Sequence, residues 1–395
     1  MTELADRIAA LSPEKRKLLE RRMAREGLGR RERHRSIPRR AEGDRGPFPL
    51  TYGQRRLWFI DRLNPGTPAY NIPFAGRLRG PLRPDLLASS LREVIGRHEV
   101  LRSRFVERDG RPVQVIDPDP SAGTRPGVMR LPVVDLSALP EARRDPEARR
   151  LTRADPQTPF DLARGPVVRV TLLRLGPRLH DLLVTMPHIV TDAWSMAVLF
   201  RELPRIYDAL RKGRPSPLEE LPIQVADYAL WERARLDAED GGSSETLERE
   251  LDFWREHLAG ATTVLELPTD RPRPPVQTFP GIRRPVKVPP ATARRLESLV
   301  EREGATLFMA LLASFAAVLS RWTGQDDVLL SSPLATRSEP ETQGLIGFFI
   351  DNAVVRADLS GDPSFRRLLS RVRESSLATF AHQGVPFEKV AEAVG

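Results

Sequence analysis

Chemistry in this chain has to be sought among few side chains. There is no cysteine, which excludes a thiol nucleophile, a disulfide scaffold, an iron–sulfur cluster and any thiolate zinc site. Six histidines are present: His34, His98, His180, His188, His257 and His382. His188 has the most suggestive setting, because it follows an apolar strand-like run (Leu182, Leu183, Val184, Met186) and precedes a helix-like stripe (Trp194, Val198, Leu199, Leu203, Ile206, Leu210). A strand-to-helix junction presents side chains at one end of a sheet. Asp192 stands four residues on, so His188 reads as a base or hydrogen-bond partner supported by Asp192. The plainer alternative is a helix-capping Asp192 beside a satisfied loop histidine, and on spacing alone that alternative carries the greater weight. No G-x-S-x-G elbow, P-loop, G-x-G-x-x-G or H-E-x-x-H pattern occurs, and His98-Glu99 lacks a second histidine one turn on. No metal site is expected.

The elements that must position these groups alternate. Strand-like segments at Ala75 to Leu78, Pro112 to Ile116, Val167 to Leu173 and Leu182 to Met186 interleave with helices at Leu86 to Arg97 and Ser195 to Leu210. A Pro-rich stretch, Leu267 to Pro280, reads as a connection. Beyond it the pattern predicts a strand at Arg283 to Val288, helices at Ala291 to Arg302 and 305–319, and strands at 328–332 and 349–356. The expected organisation is an N-terminal helix and basic linker over 1–46, a first α/β lobe over 47–266, the connection over 267–280 and a second lobe over 281–395.

Length and charge agree with this. A chain of 395 residues with 40% hydrophobic and 29% charged residues suits two domains with a sizeable core. The net charge of +9 is concentrated at the start: residues 1–47 hold fourteen Lys and Arg against eight Asp and Glu. A basic leader on a near-balanced body is not the footprint of a nucleic-acid-binding domain. The longest apolar run, Ala305 to Leu319, is too short to span a membrane, and the polar start is no secretory signal, so a cytoplasmic protein is expected, binding neither nucleic acid nor membrane.

Six motifs then converge. Thr51-Tyr52-Gly53-Gln54-Arg55-Arg56-Leu57-Trp58 resembles S-x-A-Q-x-R-L-W, and Arg97-His98-Glu99-Val100-Leu101-Arg102-Ser103-Arg104-Phe105 resembles R-H-E-x-L-R-T-x-F. Met186 to Ser195 (MPHIVTDAWS) is similar to M-H-H-x-x-x-D-G-W-S. Asp227 to Trp231, Ile346 to Arg356 (IGFFIDNAVVR) and His382-Gln383 with Pro386-Phe387-Glu388 follow in order. In that order and number they resemble the condensation domain of nonribosomal peptide synthetases, most nearly the subclass that joins two L-configured substrates. The resemblance implies an α/β fold of two chloramphenicol-acetyltransferase-like lobes, a V-shaped pseudo-dimer with a central tunnel. It implies carrier domains upstream and downstream, an adenylation domain in the same synthetase, no bound cofactor, and substrates presented on 4'-phosphopantetheine. His188 takes the catalytic place; Asp192 would form a buried ion pair with Arg97, Arg102 or Arg337; Ser195, Gly347 and Asp351 fall where a tunnel wall is expected, and Trp194 either packs its helix against the sheet or joins that wall. His98 and His382 are expected to pack and hydrogen-bond within the fold.

Three positions depart from the motifs. Pro187 replaces the first motif histidine and removes a backbone N–H. Ala193 replaces a glycine and adds a methyl that would crowd a backbone approach. Asp351 replaces an asparagine, either near His188, where it would raise the imidazole pKa, or facing solvent. These departures leave two readings: an amide-forming enzyme, or a non-catalytic relative that recruits a carrier or tailoring enzyme. The resemblance also implies a further motif and closing strands that have no counterpart here, so the second lobe is expected to be incomplete, with an open sheet edge.

Overall fold

The computed structural model describes residues 36–394, apart from 42, 45, 120–130, 238–243, 273, 275–280 and 282–283. The chain divides into two compact units, Met1–Ile37 and Pro38–Gly395. The expected N-terminal helix lies outside the described residues, as do His34 and much of the Pro-rich stretch. The larger unit reaches back to Pro38, earlier than the boundary expected at 47. Arg40 explains part of this, since its guanidinium pairs with Asp227 (2.9 Å) and with Glu99.

Within the large unit the first lobe is built on two sheets. A small one joins β1 (Phe48–Pro49), β3 (Ser103–Arg108) and β4 (Arg111–Ile116), with β4 in the middle. In the larger one, β7 (Leu179–Pro187) is antiparallel to β2 (Asn71–Arg79) on one edge and to β6 (Arg169–Gly176) on the other. Strand β5 (Val133–Asp135) joins β6 in parallel, giving the order β2-β7-β6-β5. Being covered on both faces, β7 is buried continuously from Leu182 to Pro187 and lacks the alternation of a half-exposed strand. Helices α1 (Tyr52–Leu63), α2 (Pro84–Arg97), α3 (Glu141–Ala154) and α4 (Ala193–Arg211) complete the lobe, with α2 and α4 packed together.

Helices α5 (Val225–Leu236) and α6 (Glu245–His257) lead toward the second lobe. The expected helix at Ala291 to Arg302 is α7 (Pro290–Arg302). Strand β8 (Asp327–Ala335) pairs antiparallel with β9 (Ile350–Asp358). Helices α8 (Leu307–Thr323) and α9 (Phe365–Ala381) pack on each other and on this sheet, closing a core of Met309, Ala313, Ala316, Val328, Leu369 and Val372. The final helix α10 (Phe387–Val394) seats Val390 against Trp254 and Leu251 of α6. Residues 284–288 are not a strand: Pro285 and Pro289 remove ladder donors, no strand among the described residues pairs with them, and Val286 is 87% exposed. Among the described residues no single helix is long and apolar enough to cross a membrane.

Candidate active site

His188 begins a single 3-10 turn at the end of β7. Pro187 is tolerated because the register with β6 ends at Thr185, so no inner ladder bond is lost there. The His188 backbone N–H donates to Tyr70 O (2.8 Å), and its Nδ1–H donates to Thr191 O (2.6 Å). That second bond selects the tautomer. With the proton on Nδ1, Nε2 of the neutral ring carries a lone pair and accepts. The ring is held from the side by Phe348, edge to face at 4.9 Å and 80°. Gln54 of the opening motif, fully buried, donates to Ile189 O (3.3 Å) and ties the turn to α1.

Asp192 is both a helix cap and one half of a buried ion pair. It is the N-cap of α4, Oδ1 accepting from Ser195 N–H at 2.6 Å, and it pairs with Arg337 at 3.1 Å. Both partners of that ion pair are almost wholly buried. Arg337 also donates to Thr342 O (2.5 Å), Leu345 O (2.8 Å) and Ser195 Oγ (3.0 Å), and its guanidinium lies over the Phe349 ring at 4.2 Å. Burial pulls Arg337 below its ordinary value, and the Asp192 charge offsets part of that loss. Phe349 N–H donates to Asp192 Oδ2 (3.1 Å) and Gly347 N–H to Ser195 Oγ (3.0 Å). The helix that follows His188 is thereby joined to the 336–349 segment of the second lobe.

Arg337 is therefore the arginine that meets Asp192. Arg97 pairs with Glu202 (3.2 Å), and Arg102 donates to Asp117 O beside Glu99. His98 supports the same joint. Its Nδ1 accepts from Ile346 N–H (3.2 Å) and its Nε2–H donates to Glu202 (2.9 Å). Deep burial depresses the His98 pKa, consistent with a neutral ring in this tautomer. His382 stacks on Phe253 with ring centres 3.6 Å apart.

The residues expected along a tunnel wall divide differently. Ser195 and Gly347 are buried inside the joint, where Ser195 Oγ donates to Gly347 O (2.8 Å); a Cβ on Gly347 would strike Phe349 and Val225. Both serve packing between lobes because Ser195 sits one turn inside α4, on the face carrying Asp192. Trp194 donates from its indole to Gln343 O (2.9 Å), a further lobe contact. Ala193 is exposed at the first helical position, so its methyl crowds no buried backbone. Asp351 neither bonds His188 nor faces solvent. It accepts from Arg56 (3.0 Å), Asn352 N–H (2.8 Å) and Phe387 N–H (3.0 Å), while burial raises its pKa.

Sequence reasoning passed over Arg56, Phe348 and Glu232. Arg56 also bonds Glu388 (2.9 Å), so it joins the first and last motifs, a pairing their arginine and glutamate could have suggested. Phe348 and Glu232 border a cavity of about 110 Å³ beside the site. Among the described residues no group of three His, Asp or Glu side chains converges to hold a metal.

The sequence profile described as Condensation domain matches residues 44–395. The chain is 45% identical over 346 residues to a linear gramicidin synthase of Brevibacillus parabrevis, covering 88% of this chain and 6% of that one. It spans 4% of a second linear gramicidin synthase subunit and 35% of a phosphinothricin tripeptide synthetase, so it covers a small part of these relatives' length. Among solved structures, the X-domain from teicoplanin biosynthesis, in complex with OxyB, superposes with a TM-score of 0.78 at 33% identity, covering 91% of this chain and 76% of that one. The first condensation domain of the calcium-dependent antibiotic synthetase, with a substrate analogue, gives 0.71 at 26% identity, covering 90% and 79%. With its motifs in place and its fold matched, this chain belongs to the condensation-domain family of nonribosomal peptide synthetases.

Proposed function

We propose that this chain forms an amide bond between a donor held as a thioester on one carrier domain and an acceptor amine held on another. The observation that carries the reading is the His188 tautomer: Nδ1–H held by Thr191 O leaves Nε2 as an acceptor at the end of a rigid sheet. The acceptor nitrogen attacks the thioester carbonyl, and the C–S bond breaks as the tetrahedral intermediate collapses. His188 Nε2 takes the proton released from nitrogen, and the departing phosphopantetheine thiolate is protonated in turn. A thioester is already activated, so positioning supplies much of the rate and one imidazole suffices. The resemblance of the opening motif to the subclass joining two L-configured substrates makes L-donors and L-acceptors the first choice, with an adenylation domain of the same synthetase loading the carriers.

The test loads donor and acceptor on separate carrier domains and follows the amide by mass spectrometry. Product with wild type, dependent on both loaded carriers and lost in His188→Ala, supports the reading. A second reading is favoured by Pro187 together with the similarity to a domain solved in complex with OxyB: recruitment of another enzyme without condensation. No product from wild type, with carriers or a tailoring enzyme still bound, would favour it.

A further inference from the structure

The cavity behind Phe348 lies where α1, α5, the segment after β8 and residues 383–386 meet. Four aromatic residues border it: Tyr52, Tyr228, Trp231 and Phe348. Three carboxylates join them, Glu232, Glu339 and Asp351, and Glu232 and Asp351 differ in what they have left to offer. Asp351 is engaged by Arg56 and by two backbone N–H groups. Glu232 accepts from Tyr52 N–H through Oε2 (2.9 Å), while no donor among the described residues reaches its Oε1. The cation at the border, Arg235, donates to Gly384 O (2.9 Å) and lies 5.1 Å from the Trp231 ring centre.

We infer that this cavity binds an alkylammonium group. An aromatic enclosure with an open carboxylate oxygen suits a cation carrying N–H donors and a short apolar stem. A carboxylate ligand would meet Glu232, Glu339 and Asp351, and a neutral alkyl group would bring no donor to Glu232 Oε1. Desolvation raises the Glu232 pKa to about 7, which a bound ammonium would reverse. Position ties the cavity to the reaction: Phe348 borders it and also touches the His188 ring. The substrate role therefore rests on the condensation reading, whereas the binding itself does not. The ammonium belongs either to the waiting acceptor's α-amine or to a basic side chain.

The experiment titrates the full chain with propylammonium chloride by saturation-transfer NMR, with 1-propanol and propionate as neutral and anionic counterparts. Glu232→Gln and Trp231→Leu are compared with wild type, and melting temperatures report their folding. The inference expects binding of the ammonium alone, weakened at least tenfold in each variant. Equal binding of ammonium and propanol by wild type would overturn it whatever the variants do, and so would ammonium binding that survives Glu232→Gln. A second arm uses acceptor carriers loaded with ornithine or norvaline. An ornithyl preference lost in Glu232→Gln assigns a side-chain ammonium; equal turnover of both, slowed alike by the substitution, assigns the α-ammonium. Equal turnover that Glu232→Gln leaves untouched would overturn the substrate role. Ammonium binding without any turnover would keep the site and defeat the condensation reading.

Discussion

In the first lobe β7 is paired on both edges and buried from Leu182 to Pro187, whereas in the second lobe β8 pairs with β9 alone among the described residues. The helix against that smaller sheet, α8, buries Met309, Ala313 and Ala316 yet leaves Leu311, Phe315, Val318 and Trp322 exposed along one stripe. The imidazole stands on the lobe with the enclosed sheet, where its position is best determined. What the second lobe contributes to the site is its crossing segment, 336–349, locked by Arg337 and backed by His98. Placement of the His188 imidazole and closure of the lobes are thus carried by different parts of the chain.

Substitutions separate the two parts. Arg337→Ala should have the largest effect on stability, about 3–5 kcal/mol, because Asp192 would be left charged and buried. A loss near 1 kcal/mol by denaturant titration would show that the joint is solvated. Ser195→Ala removes the acceptor of Gly347 N–H and should cost about 1–3 kcal/mol, again in denaturant midpoint. Glu232→Gln acts through pH. The folded carboxyl titrates at about 7 against an ordinary value of 4.5, so the folded chain retains a proton that the unfolded chain releases between those values. Wild type therefore loses stability as pH rises through that window, by at most about 3 kcal/mol from this group. The variant's melting temperature should exceed that of wild type more at pH 8 than at pH 5, and a constant difference would place Glu232 in a more polar setting. Smallest is Trp322→Ser on the exposed stripe, expected within about 0.5 kcal/mol of wild type. A loss of several kcal/mol would mean that the stripe is covered in solution.

The place of His188 was legible because a continuous apolar run, a histidine and a helix start are local signals. The choice of Arg337 over Arg97 and Arg102 was not, since it depends on a segment 145 residues away folding back onto Asp192. Ser195 and Gly347 were misplaced for the same reason: motif membership marks a residue as near the site without saying which side of a lobe joint it occupies. Glu232 sits in the run Trp231-Glu232-Arg233-Ala234-Arg235, which reads as a solvated helix face; it is desolvated only because Tyr52 and the second lobe close over α5. Residues 284–288 carry β-type valines, yet a strand needs a neighbour, and neighbours are a property of the whole fold.

The central claim is that His188 does chemistry while Asp192 and Arg337 hold the lobes. Single-turnover amide formation between loaded carriers, measured beside the melting temperature for wild type and His188→Ala, tests it most directly. The account predicts a rate reduced by about 10²–10⁴-fold with melting within a few degrees of wild type. A variant that melts like wild type and still condenses at the wild-type rate would contradict it.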